Sequence, residues 1–272
     1  MRQSARLAAV LTAALCAAAA GALNIAAADD ALNERAVEVT SGEFKTPVVE
    51  LYTSEGCSSC PPADDWLRKL GASLAHDFSA VLLAFHVDYW NYLGWPDPYS
   101  QPAFTDRQRH AAANNRQRTI YTPAFLVDGR EARGGAAVVR SIESANSQKA
   151  QARIAVRVVR HGAGGIRARI EVDNNAPGAA HYAAHVAVYE NGITRRIGAG
   201  ENRGRTLRHD FVVRHWSAPI AIRRGANRAQ VEVDIPADWN RPHLGLAVVV
   251  QNRRTFETLQ SVSASLAELF SG

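Results

Sequence analysis

Two textures divide this chain of 272 residues, and together they predict an α/β layer followed by an all-β sandwich. Over 46–150, nearly continuous apolar runs alternate with segments of helical spacing, the signature of strands and helices taken in turn. From about 151 to 260 the apolar residues recur at every second position, with turn residues between the runs. A third observation sits at the first strand-to-helix junction, where two cysteines stand three positions apart in TSEGCSSCPPADDW.

The elements follow in order. Val48 to Thr53 (VVELYT) reads as a buried strand, and from Pro62 to about Leu74 the residues Trp66, Leu67, Leu70 and Leu74 share one helical face. Ala80 to Val87 is a second apolar strand, continuous enough to be covered on both sides. An aromatic-rich insertion near 88–116 carries Trp90, Tyr92, Trp95 and Tyr99, then a helix from Ala103 to Asn115 with Thr105 as its N-cap. Pro123 to Val127 with Asp128-Gly129 reads as a strand and tight turn, and a helix from Ala137 to about Gln151 closes the first part. Beyond it, Ile154, Val156 and Val158, then Ile166, Ala168, Ile170 and Val172, alternate with polar residues. The same pattern recurs in HYAAHVAVYENG, TLRHDFVVRHW, RAQVEVDIP and HLGLAVVVQN, about seven short strands and so a sandwich of immunoglobulin-like size. Residues 29–45 and 261–272 are left as a linker and a C-terminal tail.

Arg2 and Arg6, the uncharged run Leu7 to Ala20 and the small residues Ala26 to Ala28 have the layout of a secretory signal peptide over 1–28, too short in its apolar core to span a bilayer. Its removal leaves 244 residues with 29 basic and 26 acidic side chains, a net charge of +3 in place of +5, and no stable membrane span. Periplasmic or secreted location follows, and with it an exported protein partner; nucleic acid is excluded as a partner.

Export permits disulfides, and of the three cysteines only Cys57 and Cys60 lie outside the leader. Three uses are open to them. A staple closing so small a loop constrains the unfolded chain little. A structural zinc site needs four ligands where two thiols exist, but copper suits Cys57 and Cys60 with the imidazole of His86. A reactive pair gains from the strand-to-helix position, because a helix start favours thiolate over thiol. In that use Cys57, nearer solvent, attacks a partner disulfide and Cys60 resolves the mixed disulfide, with no cofactor beyond the pair. Pro61 and Pro62 push the regular helix back to Pro62, and Glu55 opposes a thiolate at Cys57. Ser58 and Ser59 sit in no nucleophile elbow.

Thr122-Pro123 leads directly into a strand, and with the cysteine pair upstream a cis bond is expected there. The Cys57-Ser58-Ser59-Cys60 segment, its preceding strand and Thr122-Pro123 resemble the thioredoxin fold, and 46–150 is accordingly expected to be a thioredoxin-like domain. In that fold the loop proline is cis and faces the cysteines, helping to hold an extended substrate segment. VVELYTSEGCSSCPPAD, HVDYWNYLGWPDP, FTDRQ, YTPAFLVDGR and GENRGRTLRHDFVVR are more closely similar to a secreted bacterial family, domain of unknown function 1223. The pair encloses Ser-Ser where ordinary thioredoxins have Gly-Pro, and no Trp directly precedes Cys57.

The resemblance implies catalytic roles for Cys57, Cys60 and Pro123, substrate contacts at Thr122, and a proton-exchanging acid at Glu50, the alternative there being a solvated carboxylate. Trp90 and Trp95 are candidates for a substrate groove, or else for a satellite core. The expected function is an exported thiol–disulfide oxidoreductase acting on protein disulfides. The alternatives are a copper-binding or copper-delivery protein and a non-catalytic module that binds a partner through its β-rich half. Gly198 to Gly204 reads as hairpin turn chemistry, and His209 is one of several dispersed histidines without an assigned role.

Overall fold

A computed structural model of the chain describes residues 35–77, 79–177 and 181–271; the predicted leader lies outside them. The cysteine-bearing junction begins at β2 (Val48–Thr53), whose six residues are all buried. The helix α1 (Pro61–Asp77) follows the cysteines directly. It starts one residue earlier than its prolines suggested, with Pro61 in the first turn, where a missing N–H costs nothing. The Cys60 carbonyl accepts the amides of Ala63 at 2.8 Å and Asp64 at 3.1 Å, so Cys60 itself caps the helix. Gly71 is required on this helix, because a Cβ there would overlap the ring of Phe211.

The helix returns the chain to β3 (Val81–His86), which pairs parallel with β2 in register from Val48↔Val81 to Thr53↔His86. The aromatic insertion leads into α2 (Pro102–Asn114), capped by Gln101 in place of the expected Thr105, which is buried within the helix. β4 (Ala124–Val127) then pairs antiparallel with β2 and turns through Asp128 (φ 51°) and Gly129 (φ 74°) into β5 (Arg130–Glu131). Two successive positive φ values are the chemistry of a tight two-residue hairpin. α3 (Gly135–Asn146) completes this stretch.

The later strands are β6 (Ala152–His161), β7 (Gly165–Asn174), β8 (Tyr182–Glu190), β9 (Ile193–Arg196), β10 (Thr206–His209) and β11 (Val212–Trp216). They continue with β12 (Ile220–Ile222), β13 (Gly225–Val233), β14 (Leu244–Asn252), β15 (Thr258–Ser265) and the short α4 (Ala267–Phe270). β1 (Ala36–Thr40), within the expected linker, pairs antiparallel with β6 in a four-stranded sheet ordered β1-β6-β7-β13.

The expected α/β thioredoxin-like domain followed by a separate immunoglobulin-like sandwich is overturned. The described residues form fifteen strands and only four helices, and from Ala36 onward they make one compact unit. A single nine-stranded sheet runs β15-β14-β8-β11-β3-β2-β4-β5, with β12 added beside β8. Strands of both sequence halves therefore share one sheet. The join is the parallel contact of β11 with β3 at Val212↔Ala84, where the Ala84 amide donates to the Phe211 carbonyl at 2.8 Å.

Packing explains the merger. Ala184, Val186 and Val188 of β8, with Leu246, Val248 and Val250 of β14, face the four-stranded sheet across a core that includes Ile154, Ile166 and Ile170. The intervening residues Ala187, Tyr189, Ala247 and Val249 join Tyr52, Leu83, Phe85 and Phe104 in a second core. The opposite face of β2 and β3 packs Val49, Leu51, Leu82 and Ala84 against Leu67 and Leu70 of α1 and Val138 and Ile142 of α3. β8 and β14 are thus buried on both faces, which a one-sided outer strand of a sandwich would not be. Full burial of each such aliphatic side chain contributes about 1.5–3 kcal/mol, so the join between halves is a core in its own right.

Candidate functional site

The disulfide site grows from the end of β2. The chain leaves Thr53, the Gly56 amide bonds the Ser54 hydroxyl at 3.1 Å, and the Cys57 amide bonds the Ser54 carbonyl at 3.2 Å. This turn brings Cys57 and Cys60 together as a disulfide with Cα atoms 5.4 Å apart. The Cys57 sulfur also lies 3.3 Å from the Ser59 hydroxyl. Ser58 and Ser59 are exposed, but Cys57 and Cys60 are each 0% exposed. The expectation that Cys57 lies nearer solvent is corrected: the loop tip is open and both cysteines are covered.

Gly56 packs against Trp90. A Cβ at Gly56 would meet the Trp90 Cβ at 3.0 Å and its carbonyl oxygen at 3.3 Å, so glycine permits this close approach. The Trp90 indole in turn donates to the Thr122 hydroxyl at 2.7 Å, and the Thr122–Pro123 bond is cis. Trp90 therefore bridges the cysteine loop and the cis-proline turn. Trp95 reaches the same loop from another side, its indole donating to the Glu55 carboxylate at 2.7 Å.

Beneath the loop lies a charged cluster whose carboxylates and imidazoles are buried, with the partly exposed Arg195 at its rim. The Glu55 carboxylate, 0% exposed, has Arg195 Nε and His209 Nε2 each at 3.4 Å, and its own amide donates to Asp97 at 2.8 Å. His86 Nδ1 sits 2.6 Å from the same Asp97 oxygen, both side chains fully buried. Burial alone pulls the His86 pKa down, but the Asp97 carboxylate, with Asp64 and Glu55, outweighs it and holds the imidazole above its ordinary value. Burial acts on Asp97 in the upward direction and is outweighed by His86 and by the Glu55 and Tyr99 amides, so its pKa lies below the usual carboxylate value. Asp64, one turn into α1, is raised by burial despite the opposing pull of His209 and His86. His209 Nδ1 stands 3.8 Å from the Asp64 carboxylate.

The β9–β10 hairpin, a two-stranded sheet of its own, covers the loop. The Ser58 amide donates to Glu201 at 3.0 Å, and the buried Asn202 carboxamide donates to the carbonyls of Glu55 and Cys57, each at 2.9 Å. Arg205 holds the remaining Asn202 oxygen at 2.8 Å.

Glu50 is placed elsewhere. Its carboxylate accepts two bonds from Arg107, at 2.6 and 3.0 Å, and one from the Tyr52 hydroxyl at 2.6 Å. The Arg107 guanidinium is stacked over Trp216 and Phe256 at 4.6 Å from each ring. Against burial, which lowers it, Glu50 and Tyr52 raise the Arg107 pKa, and burial with Glu50 raises that of Tyr52. A carboxylate committed to three donors in this way is part of a packed ion pair, neither the solvated group nor the free acid beside Cys60 that the sequence left open.

The structure thus gathers Cys57, Cys60, Trp90, Trp95, Thr122 and Pro123 around one loop and sets His86 in the layer below. Cys57 and Cys60 bond each other and His86 Nδ1 faces Asp97, so the copper set is not assembled. Among the described residues no group of three or more His, Cys, Asp or Glu is arranged to hold a metal ion, and no helix is long and apolar enough to cross a membrane. Sequence reasoning did not find Asp64, Asp97, Arg195, Glu201, Asn202 and His209 as site residues. Only the polar residues in DYWNYLGWPDP and GENRG hinted at them, and these read first as loop and turn. A cleft of about 450 Å³ lined by Lys45, Asp128, Arg130 and Arg140 contains none of the site residues.

Fold and site define a mostly β protein in which a Cys57–Cys60 disulfide at the end of a parallel strand pair is covered by a hairpin from the later half. The chain belongs to the family described as protein of unknown function DUF1223, whose model matches residues 48–251 and so spans both halves. A structural-genomics protein of Agrobacterium tumefaciens is 25% identical, with a TM-score of 0.60 over 84% of this chain and 96% of that one. HBP35 of Porphyromonas gingivalis shares the fold at 16% identity, with a TM-score of 0.63 over 83% of this chain and 76% of that one. No curated protein matches the sequence.

Proposed function

We propose that this chain is an exported thiol–disulfide oxidoreductase acting on proteins through Cys57 and Cys60. The observation that carries the reading is the Cys57–Cys60 disulfide at the entry to α1, tied through Gly56 and Trp90 to the cis Thr122–Pro123 turn. A disulfide spanning two residues is a poor staple, and the helix start beside it favours charge on a departing sulfur.

The exchange balances without a further cofactor. A thiolate of a partner protein's dithiol attacks the Cys57 sulfur, the S–S bond breaks, and its electron pair leaves on Cys60. The partner's second thiolate then attacks the partner sulfur of the mixed disulfide and releases Cys57. The partner is oxidised by two electrons, the cysteine pair is reduced, and the two partner protons end on the two thiols. The reverse sequence, with Cys57 as attacking thiolate and Cys60 as resolving thiol, reduces a partner disulfide. Thr122 and Pro123, with Trp90 bonded to Thr122, contribute one side of the surface that holds an extended partner segment beside the cysteine loop.

The test is trapping. Cys60→Ala is expected to accumulate a mixed disulfide with an exported protein, and Cys57→Ala to accumulate none. Equal adduct yields from both variants, or full cellular activity in the Cys57→Ser, Cys60→Ser double variant, would sink the reading.

A further inference from the structure

Both cysteines are fully covered, although exchange requires a sulfur to approach the S–S bond closely. Three segments surround the loop. Trp90 is held between Gly56 and Thr122, and Trp95 is bonded to the buried Glu55. The third segment, the tip 198–204 of the β9–β10 hairpin, is different in kind. Its strands are ladder-bonded only to each other, and their base is seated by the buried Ile193, Ile197 and Leu207. The tip itself turns through Gly200 (φ 71°) and Gly204 (φ 81°) and is closed by the Gly204 amide on the Ile197 carbonyl at 2.8 Å. It meets the cysteine loop through polar contacts and the insertion through Gly198 against the Trp95 ring and Gly200 against the Trp95 Cβ.

We propose that the 198–204 tip is an intramolecular gate occupying the backbone edge on which an extended segment of the partner protein docks. Lifting the tip uncovers the disulfide and at the same time frees the Ser58 N–H and the carbonyls of Glu55 and Cys57. One donor and two acceptors in sequence are what the main chain of an extended peptide pairs with. The partner's backbone takes the places that Glu201 and Asn202 hold, which sets its thiol beside Cys57. The gate rests on the oxidoreductase reading for the identity of what it admits.

Asn202 is the latch. Its two N–H donors are spent on two buried carbonyls and its oxygen on Arg205, whereas Glu201 is exposed and its contact with Ser58 is screened by water. Losing the two carboxamide bonds favours the lifted state by about five- to a hundredfold. Glu201 contributes little to the latch.

The experiment follows reduction of the full chain by dithiothreitol, reading alkylation of the peptide that contains Cys57 and Cys60, together with amide exchange of Ser58. Asn202→Ala is expected to speed reduction by about five- to a hundredfold. Arg205→Ala, which removes only the support for Asn202, is expected to speed it in the same direction by less, and provides the test if Asn202→Ala does not fold. In both variants Ser58 exchange rises while Ala63 and Asp64 in α1 stay protected. Reduction within twofold of the parent in Arg205→Ala and Asn202→Ala overturns the gate, as does exchange of Ala63 and Asp64 rising in step with Ser58. Cys60→Ala trapping reads the underlying reaction separately. Trapping without a latch effect removes the gate alone, and a latch effect without trapping removes the docked protein partner.

Discussion

Replacing Glu50 by Gln separates a structural carboxylate from a proton-handling one. In the folded chain Glu50 neutralises a guanidinium enclosed by Phe85, Trp216 and Phe256, which also donates to the Gln251 side-chain oxygen at 3.2 Å. Arg107 and Glu50 side chains are 8% and 4% exposed, so water cannot take over the charge. Removing one partner of such a buried pair costs about 3–5 kcal/mol, chiefly because the other charge stays behind unpaired. For a chain of this size each kcal/mol moves the melting midpoint by about 2–4 °C, so Glu50→Gln is expected to lower it by roughly 6–20 °C. The Glu50→Met, Arg107→Met double variant removes both charges and keeps apolar volume, and most of the loss is expected to be recovered. The redox equilibrium of the cysteine pair, titrated against glutathione, is expected to stay within about 30 mV of the parent, a tenfold change in K. A small melting shift joined to a large change in potential would refute the structural assignment and return Glu50 to the chemistry.

Two further outcomes follow from the same structure. His185, stacked on Trp216 with ring centroids 4.7 Å apart, is pushed down to about 4 by burial, with Arg107 adding to the effect. The unfolded chain therefore binds this proton below its ordinary value near 6.5 while the folded chain refuses it, and stability falls as pH drops from 6.5 to 4. The contribution is about 3 kcal/mol over that window. His185→Phe is expected to flatten this part of the urea-unfolding profile, and an unchanged slope would contradict the burial argument. A fragment ending at residue 150 loses β8, β11 and β14, and with them the cover over Phe85 and Tyr52. It is expected to show no cooperative melt by circular dichroism; a sharp transition would restore an independent first domain.

Local readings succeeded where short-range chemistry decides. The VVELYT strand, the helix after the cysteines and the Asp128-Gly129 turn all follow from residues within a few positions of one another, whereas the cis Thr122–Pro123 bond is expected only in combination with the distant cysteine pair. Long-range pairing was not legible. HYAAHVAVYE and LGLAVVVQN read as period-two strands, but small Ala residues at 187 and 247 fill the positions that an outer strand gives to polar side chains. Those alanines let a second core form on the far face, and that core draws β11 beside β3. The candidate site divided in the same way. Cys57, Cys60, Trp90 and Thr122-Pro123 announce themselves by type and spacing, while Asn202 and His209 matter only because the sheet brings a hairpin about 145 residues away in sequence onto the loop.

That arrangement also accounts for the charge beneath the disulfide. Glu55 leaves β2 two residues before Cys57 and is buried, a position in which an unpaired carboxylate is costly and would oppose any negative charge on the neighbouring sulfur. Its neighbours come from the hairpin, the Arg195 guanidinium on β9 and the His209 imidazole on β10, each at 3.4 Å, while Trp95 of the insertion donates to it. His209 also faces Asp64 on α1 at 3.8 Å, and His86 pairs with Asp97 at 2.6 Å, so each of the three buried carboxylates has an imidazole or a guanidinium beside it. Without the later half, the cysteine loop would retain Glu55 and Asp64 but lose Arg195 and His209. The electrostatic setting of Cys57 and Cys60 therefore depends on residues of the later half, and the family match likewise runs from β2 into β14.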